Sequence, residues 1–212
     1  DPVLVGLETD GYNVMNIDGL TVTDSSGSAT SQANGITIRP TASGTQTIKN
    51  SEFTGLMTAI SINNDVSTDI SNTDITDCAK GITTGTQSSA SYYFDTVDMD
   101  SVGLGVHSRG SGDLVMKDSD IDSSGLSIDL DGTGSVTYLD GDITEAKVDV
   151  SSTGVFNRDR SYYAVLDADG TPLENANVIL SSRDAAVTTY GKTDANGLTE
   201  GLSFAIYKKT SD

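Results

Sequence analysis

Carboxylates are the side chains of this sequence numerous enough, and regularly enough spaced, to suggest chemistry. Asp and Glu number 31 against 12 Lys and Arg. Asp98, Asp120 and Asp142 fall 22 residues apart, as do Asp118 and Asp140, and Asp74 lies two such steps before Asp118. Carboxylates in close array do one of two things. They hold a hard cation, calcium above all because it takes oxygen ligands in irregular geometry, or they share acid and base duties. Other chemistries find few parts. His107 is the single histidine and Cys78 the single cysteine, so neither a histidine metal cluster nor an internal disulfide can form. His107 reads as a solvated surface residue, and Cys78 as packing at a strand corner. No glycine-rich loop leads into a helix, which removes phosphate binding of that kind. The acidic turns at Asp129, Asp167 and Asp194 lack the full spacing of a calcium loop and read as turn chemistry.

The spacing of the acids comes from a repeat. TIKNSEFTGLMTAISI (47–62) is followed 22 residues on by a stretch with apolar residues at the same places, Ile48 and Ile70, Phe53 and Ile75, Ile60 and Ile82. The same step extends to columns Ile48, Ile70, Tyr92, Leu114, Val136 and Ile60, Ile82, Leu104, Leu126, Val148. Upstream, Met15, Ile17, Leu20 and Val22 match 48, 50, 53 and 55 across a longer loop, and Val3 and Val5 match Ile36 and Ile38, so the chain opens partway through a unit. Within a unit the apolar residues lie two apart, the period of a strand. Ser, Thr, Asn, Asp and Gly punctuate the strands as turn formers. The expectation is an all-β chain: a parallel β-helix of about six turns, three strands to a turn, over residues 1–156, then a second module over 157–212.

On this register the second strand points two acidic columns outward, Glu52, Asp74, Thr96, Asp118, Asp140 and Thr54, Thr76, Asp98, Asp120, Asp142. Stacked strands lie about 4.8 Å apart, and two carboxylates at that distance repel by about 1 kcal/mol even in water. Something must relieve this, which makes Asp74, Asp98, Asp118, Asp120, Asp140 and Asp142 the candidate cation ligands, with Ca2+ the candidate ion. Asn50 and Asn72 are expected to stack inside the coil and bond each other, since buried amides need partners.

The repeats resemble the right-handed parallel β-helix repeats of pectin-lyase-like proteins. The likeness rests on Ile48–Phe53 and Ile70–Ile75, of the form I-x-N-S/T-x-F/I, and on Gly35-Ile36, Gly81-Ile82, Gly103-Leu104 and Gly125-Leu126. It implies the fold and a family of lyases, hydrolases, adhesins and inert spacers. In its lyases and hydrolases, aspartates on one strand face hold calcium or act as acid and base. This acidic face has only Lys117 beside it, where such lyases use a basic residue to take a proton. VLDADGTPLENANVIL (165–180) and TDANG (193–197) resemble the carboxypeptidase-regulatory-like, transthyretin-like β-sandwich.

A net charge of −19 and a pI near 4.1 oppose nucleic-acid binding and suit a salty or calcium-containing exterior. No run reads as a signal peptide or membrane span. The sequence therefore points to a non-catalytic structural or adhesive segment of an extracellular or cell-surface protein. Its expected partners are neighbouring domains, other copies of itself or surface glycans. The alternative is a polysaccharide-acting lyase or glycoside hydrolase that uses the acidic strand face.

Overall fold

The computed structural model describes residues 7–9, 14–24, 33–39, 44–63, 66–86, 90–160, 165–181, 188–199 and 204–211. The chain divides into two compact units, 1–156 with 209–212, and 157–208. The first is a parallel β-solenoid of about five rungs, close to the six or so read from the sequence. Among the described residues there is no α-helix, only a short 3-10 turn at Glu145–Lys147.

Its strands are β1 (Leu7–Thr9), β2 (Asn16–Asp18), β3 (Thr21–Thr23), β4 (Asn34–Ile38), β5 (Gln46–Thr54), β6 (Thr58–Ile62), β7 (Thr68–Thr76) and β8 (Lys80–Thr84). The coil continues through β9 (Tyr92–Val102), β10 (Leu104–Ser108), β11 (Leu114–Lys117), β12 (Ile121–Ser123), β13 (Ile128–Leu130), β14 (Ser135–Leu139) and β15 (Val148–Val150). One sheet runs β1-β4-β6-β8-β10-β13-β15; the other runs β2-β5-β7-β9-β11-β14, with β3 and β12 beside β5 and β9. The three strands expected per rung become two sheets. In β5, β7 and β9 the first two strands fuse into one bent strand, because a single residue turns the chain without breaking the ladder.

That residue is the key to the register. Asn50, Asn72, Thr96, Asp118 and Asp140 have φ of 50°, 48°, 55°, 46° and 59°, and Gly19 opens the column at 73°. This left-handed region is open to Gly and tolerable for Asn and Asp. The next residue reinforces the bend. Ser51 Oγ donates to the Lys49 carbonyl at 2.7 Å, Thr73 Oγ1 to Ser71 at 3.0 Å and Ser119 Oγ to Lys117 at 2.9 Å. The corner also turns the column outward, which overturns the expectation that Asn50 and Asn72 lie inside. They do bond each other, Asn72 Nδ2 to Asn50 Oδ1 at 2.7 Å, and Asn50 Nδ2 donates on to Asp18 Oδ1 at 2.7 Å, but on the exposed face.

The step is not 22 residues throughout. Ile48 faces Ile70, 22 on, but Ile70 faces Phe94, 24 on; Phe94 then faces Met116 and Met116 faces Tyr138, 22 each. The additional two residues lie in segment 85–91, seven residues long where its counterpart 63–67 has five. Tyr92 therefore stacks on Thr68, not on Ile70. Upstream, Ile17 rather than Met15 faces Ile48, and Leu7 and Thr9 face Ile36 and Ile38; Val3 and Val5 lie outside the described residues. An insertion of two preserves strand parity, so every inward residue stays inward.

The core is a set of stacked columns. Phe53, Ile75, Met99, Ile121 and Ile143 form one; Ile48, Ile70, Phe94, Met116 and Tyr138 another; Ile36, Ile60, Ile82, Val106, Ile128 and Val148 a third, all buried. Each contributes on the order of 1.5–3 kcal/mol by leaving water. Where rungs crowd, only glycine fits: a Cβ on Gly105 would lie 2.4 Å from the Ser127 carbonyl and 2.7 Å from Ile121 Cγ2.

The second unit holds β17 (Asn177–Ser181) and β18 (Thr188–Lys192), paired antiparallel. β16 (Val155–Arg160) and β19 (Phe204–Thr210) complete the strand inventory. Two short loops share one design. Asp167 Oδ1 accepts from the Asp169 and Thr171 N–H groups, both at 2.9 Å; Asp194 Oδ1 accepts from Asn196 at 2.8 Å and Leu198 at 2.9 Å. Gly170 and Gly197 follow at φ of 81° and 73°. An antiparallel module is thus present. Of the sandwich strands read from sequence, Tyr163 and Leu202 lie outside the described residues.

Candidate functional site

Beyond the left-handed corner each rung carries a short arm whose residues alternate in and out. With the corner in place, the outward position nearest it forms one continuous column. Thr21 faces Glu52, Glu52 faces Asp74, Asp74 faces Asp98, and Asp120 faces Asp142. Asp98 and Asp120 are joined directly, the Asp120 N–H donating to Asp98 Oδ1 at 3.3 Å. Five carboxylates therefore stack in succession, Glu52, Asp74, Asp98, Asp120 and Asp142, all exposed. The sequence alignment had divided them between two columns, because it carried the 22-residue step across the insertion.

Asp118 and Asp140, candidates on the same alignment, belong elsewhere. They occupy the corner column below Thr96, with φ of 46° and 59°. The structure thus brings Asp74, Asp98, Asp120 and Asp142 together and places Asp118 and Asp140 two residues before Asp120 and Asp142, at the bend. Asp118 has a cation of its own, Lys117 Nζ at 3.2 Å from its Oδ2. That pairing raises the Lys117 ammonium above its usual range.

Repulsion within the column is relieved by the backbone. Each of two carboxylates accepts the N–H of its successor: Asp98 that of Asp120, and Asp120 that of Asp142 at 2.8 Å. Below them, the buried Tyr138 hydroxyl lies against the carbonyls of Ser119 and Asp142, the latter at 2.9 Å, and its single O–H is shared between them. Although exposed, Asp98 is partly desolvated by the neighbouring rungs, which pushes its carboxyl above its ordinary range; the charges of Asp120 and Asp74 add to this against the bond from the Asp120 N–H. A hollow of about 230 Å³ opens beside the lower end, lined by Asp120, Asp122, Asp142 and Thr144 with Ile121 and Ile143. Neither Lys, Arg nor His is among its lining residues.

Among the described residues no three Asp, Glu, His or Cys side chains converge on a common point as metal ligands. The carboxylates form a line, not a cage.

A second cluster was not singled out by sequence. His107, read as a solvated surface histidine, points outward as expected but is largely covered, its side chain 16% exposed. Its Nε2 lies 3.5 Å from Asp129 Oδ2 on the next rung and 3.6 Å from Asp131 Oδ2. Burial raises the Asp129 carboxyl, while His107 opposes the shift. The signal was available, since 107 and 129 differ by one 22-residue step. Cys78 is buried behind the second corner, its Sγ donating to the Thr76 carbonyl at 3.4 Å and accepting from the Leu56 N–H at 3.4 Å. Burial raises its thiol pKa, so it packs as an inert residue.

Compared with protein-family models, curated proteins and solved structures, the chain matches none.

Proposed function

We propose that this chain is a non-catalytic structural segment of an extracellular or cell-surface protein, a rigid β-solenoid spacer that displays a straight acidic column. The observation that carries this is the column itself. Five carboxylates keep register over successive rungs, Asp98 and Asp120 each accepting the backbone N–H of the next, and no basic side chain lines the hollow beside them. A hydrolase or lyase of the pectin-lyase-like kind needs a cleft in which a base or acid meets its substrate. A column needs only counter-ions. Calcium and other cations condense along it, stiffening the segment and favouring contact with further copies or with surface glycans through shared cations. The second unit would serve as the adjoining sandwich module.

A thermal melt with calcium, with chelator, and at low and high sodium chloride tests this. A rise of several degrees with millimolar calcium beyond what sodium of equal ionic strength gives is expected. Equal response to both ions would reduce the column to general salt adaptation and remove calcium from the account. The enzymatic alternative would place its carboxylates at Asp120, Asp122 and Asp142, beside the hollow. Release of reducing ends or unsaturated uronides from a polyuronate, abolished by Asp120→Asn, would establish it instead.

A further inference from the structure

The outward column of the seven-stranded sheet holds the one histidine of the chain. Thr83, His107, Asp129 and Asp149 face one another in turn on β8, β10, β13 and β15. The imidazole is largely covered, and among the described residues neither of its nitrogens makes a hydrogen bond. On the facing residue of β8, the Thr83 hydroxyl is also buried without a hydrogen bond. Buried polar atoms are nearly always bonded, so three unpaired ones on two facing residues mark a contact that is left open in this state.

Two carboxylates stand just beyond bonding reach. His107 Nε2 lies 3.5 Å from Asp129 Oδ2 and 3.6 Å from Asp131 Oδ2, where a charge-assisted bond closes to about 2.7–2.9 Å. Asp131 is held on its other side. Its Oδ1 accepts from Ser151 Oγ at 3.4 Å, and its N–H donates to the Ser108 carbonyl at 2.9 Å. The Ser151 N–H in turn donates to the Leu130 carbonyl at 3.1 Å. The carboxylates thus sit where the ends of β10, β13 and β15 are tied together. Burial holds the Asp129 carboxyl above its ordinary range; His107 opposes this, Asp131 and Asp149 add to it, and Lys80 of β8 opposes it. The groups facing the imidazole are therefore Asp129 and Asp131 directly, Asp149 one rung on, and uncharged Thr83 with Lys80 from β8. A neutral imidazole offers one donor to two anions; an imidazolium offers two donors and the opposite charge.

We propose that His107, Asp129 and Asp131 form a proton-operated clamp between the rungs of β10 and β13. Protonated, His107 closes on both carboxylates and offsets their mutual repulsion. Deprotonated, it leaves two anions together at one rung end with a single N–H between them. A charged form that gains partners on folding adds stability at acid pH, and that stability is lost as pH rises past the histidine range near 6.5. The clamp lies on the other sheet from the acidic column and is independent of it.

Because His107 is the only histidine, its ring signals in the intact 15N-labelled chain are assigned without any variant. At pH 5.5 a ring N–H resonance in slow exchange with water is expected, and by pH 7.5 it should be gone. Amide hydrogen exchange, corrected for its intrinsic pH dependence, reads the same closure in the backbone. The Asp131, Gly132 and Ser151 N–H groups, which donate across these rung ends, should be about fivefold more protected at pH 5.5 than at pH 7.5, the share of one charge-assisted contact at a partly solvated site. The Gln46 and Gly55 N–H groups, bonded on other rungs, should change by less than about twofold. His107→Gln keeps a polar side chain that does not titrate and should abolish the difference. Asp131→Asn keeps an oxygen for Ser151 and should reduce it to about twofold. A ring N–H missing at pH 5.5, equal protection at the two pH values, or a pH difference that persists in His107→Gln would each overturn the proposal.

Discussion

Asp120 sits between two other carboxylates, so its charge and its hydrogen bond can be separated by experiment. Its neighbours Asp98 and Asp142 lie one rung away, about 4.8 Å. At the dielectric of water each pair repels by about 0.9 kcal/mol, about 1.7 kcal/mol for the two together. Asp120 Oδ1 also accepts the Asp142 N–H at 2.8 Å, a bond worth about 1 kcal/mol net. Asp120→Asn removes the charge and keeps an acceptor oxygen; Asp120→Ala removes both. At 10 mM salt, where the screening length is about 30 Å, Asp120→Asn should be more stable than the parent by about 1–2 kcal/mol, a Tm rise of about 3–6 °C. Asp120→Ala should then fall close to the parent. At 1 M salt screening shortens to about 3 Å, the gain of the Asn variant should vanish, and the Ala variant should drop about 1 kcal/mol below the parent. Differential scanning calorimetry of the three proteins at both salts reads all four differences. An Asn variant no more stable than the parent at low salt, or one whose gain survives 1 M salt, would refute the view that stacked charge strains this face.

Three further outcomes follow from the same geometry. Thr96 is a β-branched residue at φ 55°, where about 1–2 kcal/mol of strain is expected; Thr96→Asn should raise Tm by about 1–4 °C, while Asn72→Ala, which loses the bond to Asn50 and the tolerant side chain, should lower it. Gly105→Ala meets the Ser127 carbonyl and Ile121 and should cost on the order of 1–3 kcal/mol in urea unfolding. For pH, Asp98 and Asp129 have folded-state pKa values raised chiefly by burial, so the folded chain holds their protons more tightly and stability falls as pH rises above the unfolded value near 3.9. Tm at low salt should therefore climb as pH is brought from 7 toward about 4.5, and Asp98→Asn should flatten that slope; identical slopes would sink the assignment. Asp194, held low by the Leu198 and Asn196 N–H groups, acts in the opposite direction only below about pH 3.9, outside this window.

The coil was legible in the sequence because parallel stacking puts one residue type over itself at a fixed step, and apolar residues two apart announce strands. The register was legible only in part, for a physical reason. Apolar spacing has period two, so a two-residue insertion leaves every inward position apolar: Tyr92 and Phe94 both fit the column of Ile48 and Ile70. Corner residues are less forgiving. Asn50-Ser51, Asn72-Thr73, Asp118-Ser119 and Asp140-Gly141 mark the left-handed bend, and aligning on them would have put Thr96 in that column and Asp98 beside Asp74. The acids themselves were recognised, but their sorting into one column depended on that bend. A solenoid's outward residues carry little of the packing burden, so the core that made the fold readable says little about what the surface does.

The fused strands β5, β7 and β9 pair only with the strands above and below them. Pulled along its axis, a coil paired in this way gives way one row of hydrogen bonds at a time through these rungs. Each rung should peel away in turn, releasing about 22 residues, or roughly 75 Å of slack chain, for every row of hydrogen bonds given up. A segment built this way lengthens in small steps under load and absorbs work at each one, behaving as a shock absorber rather than a rod that snaps.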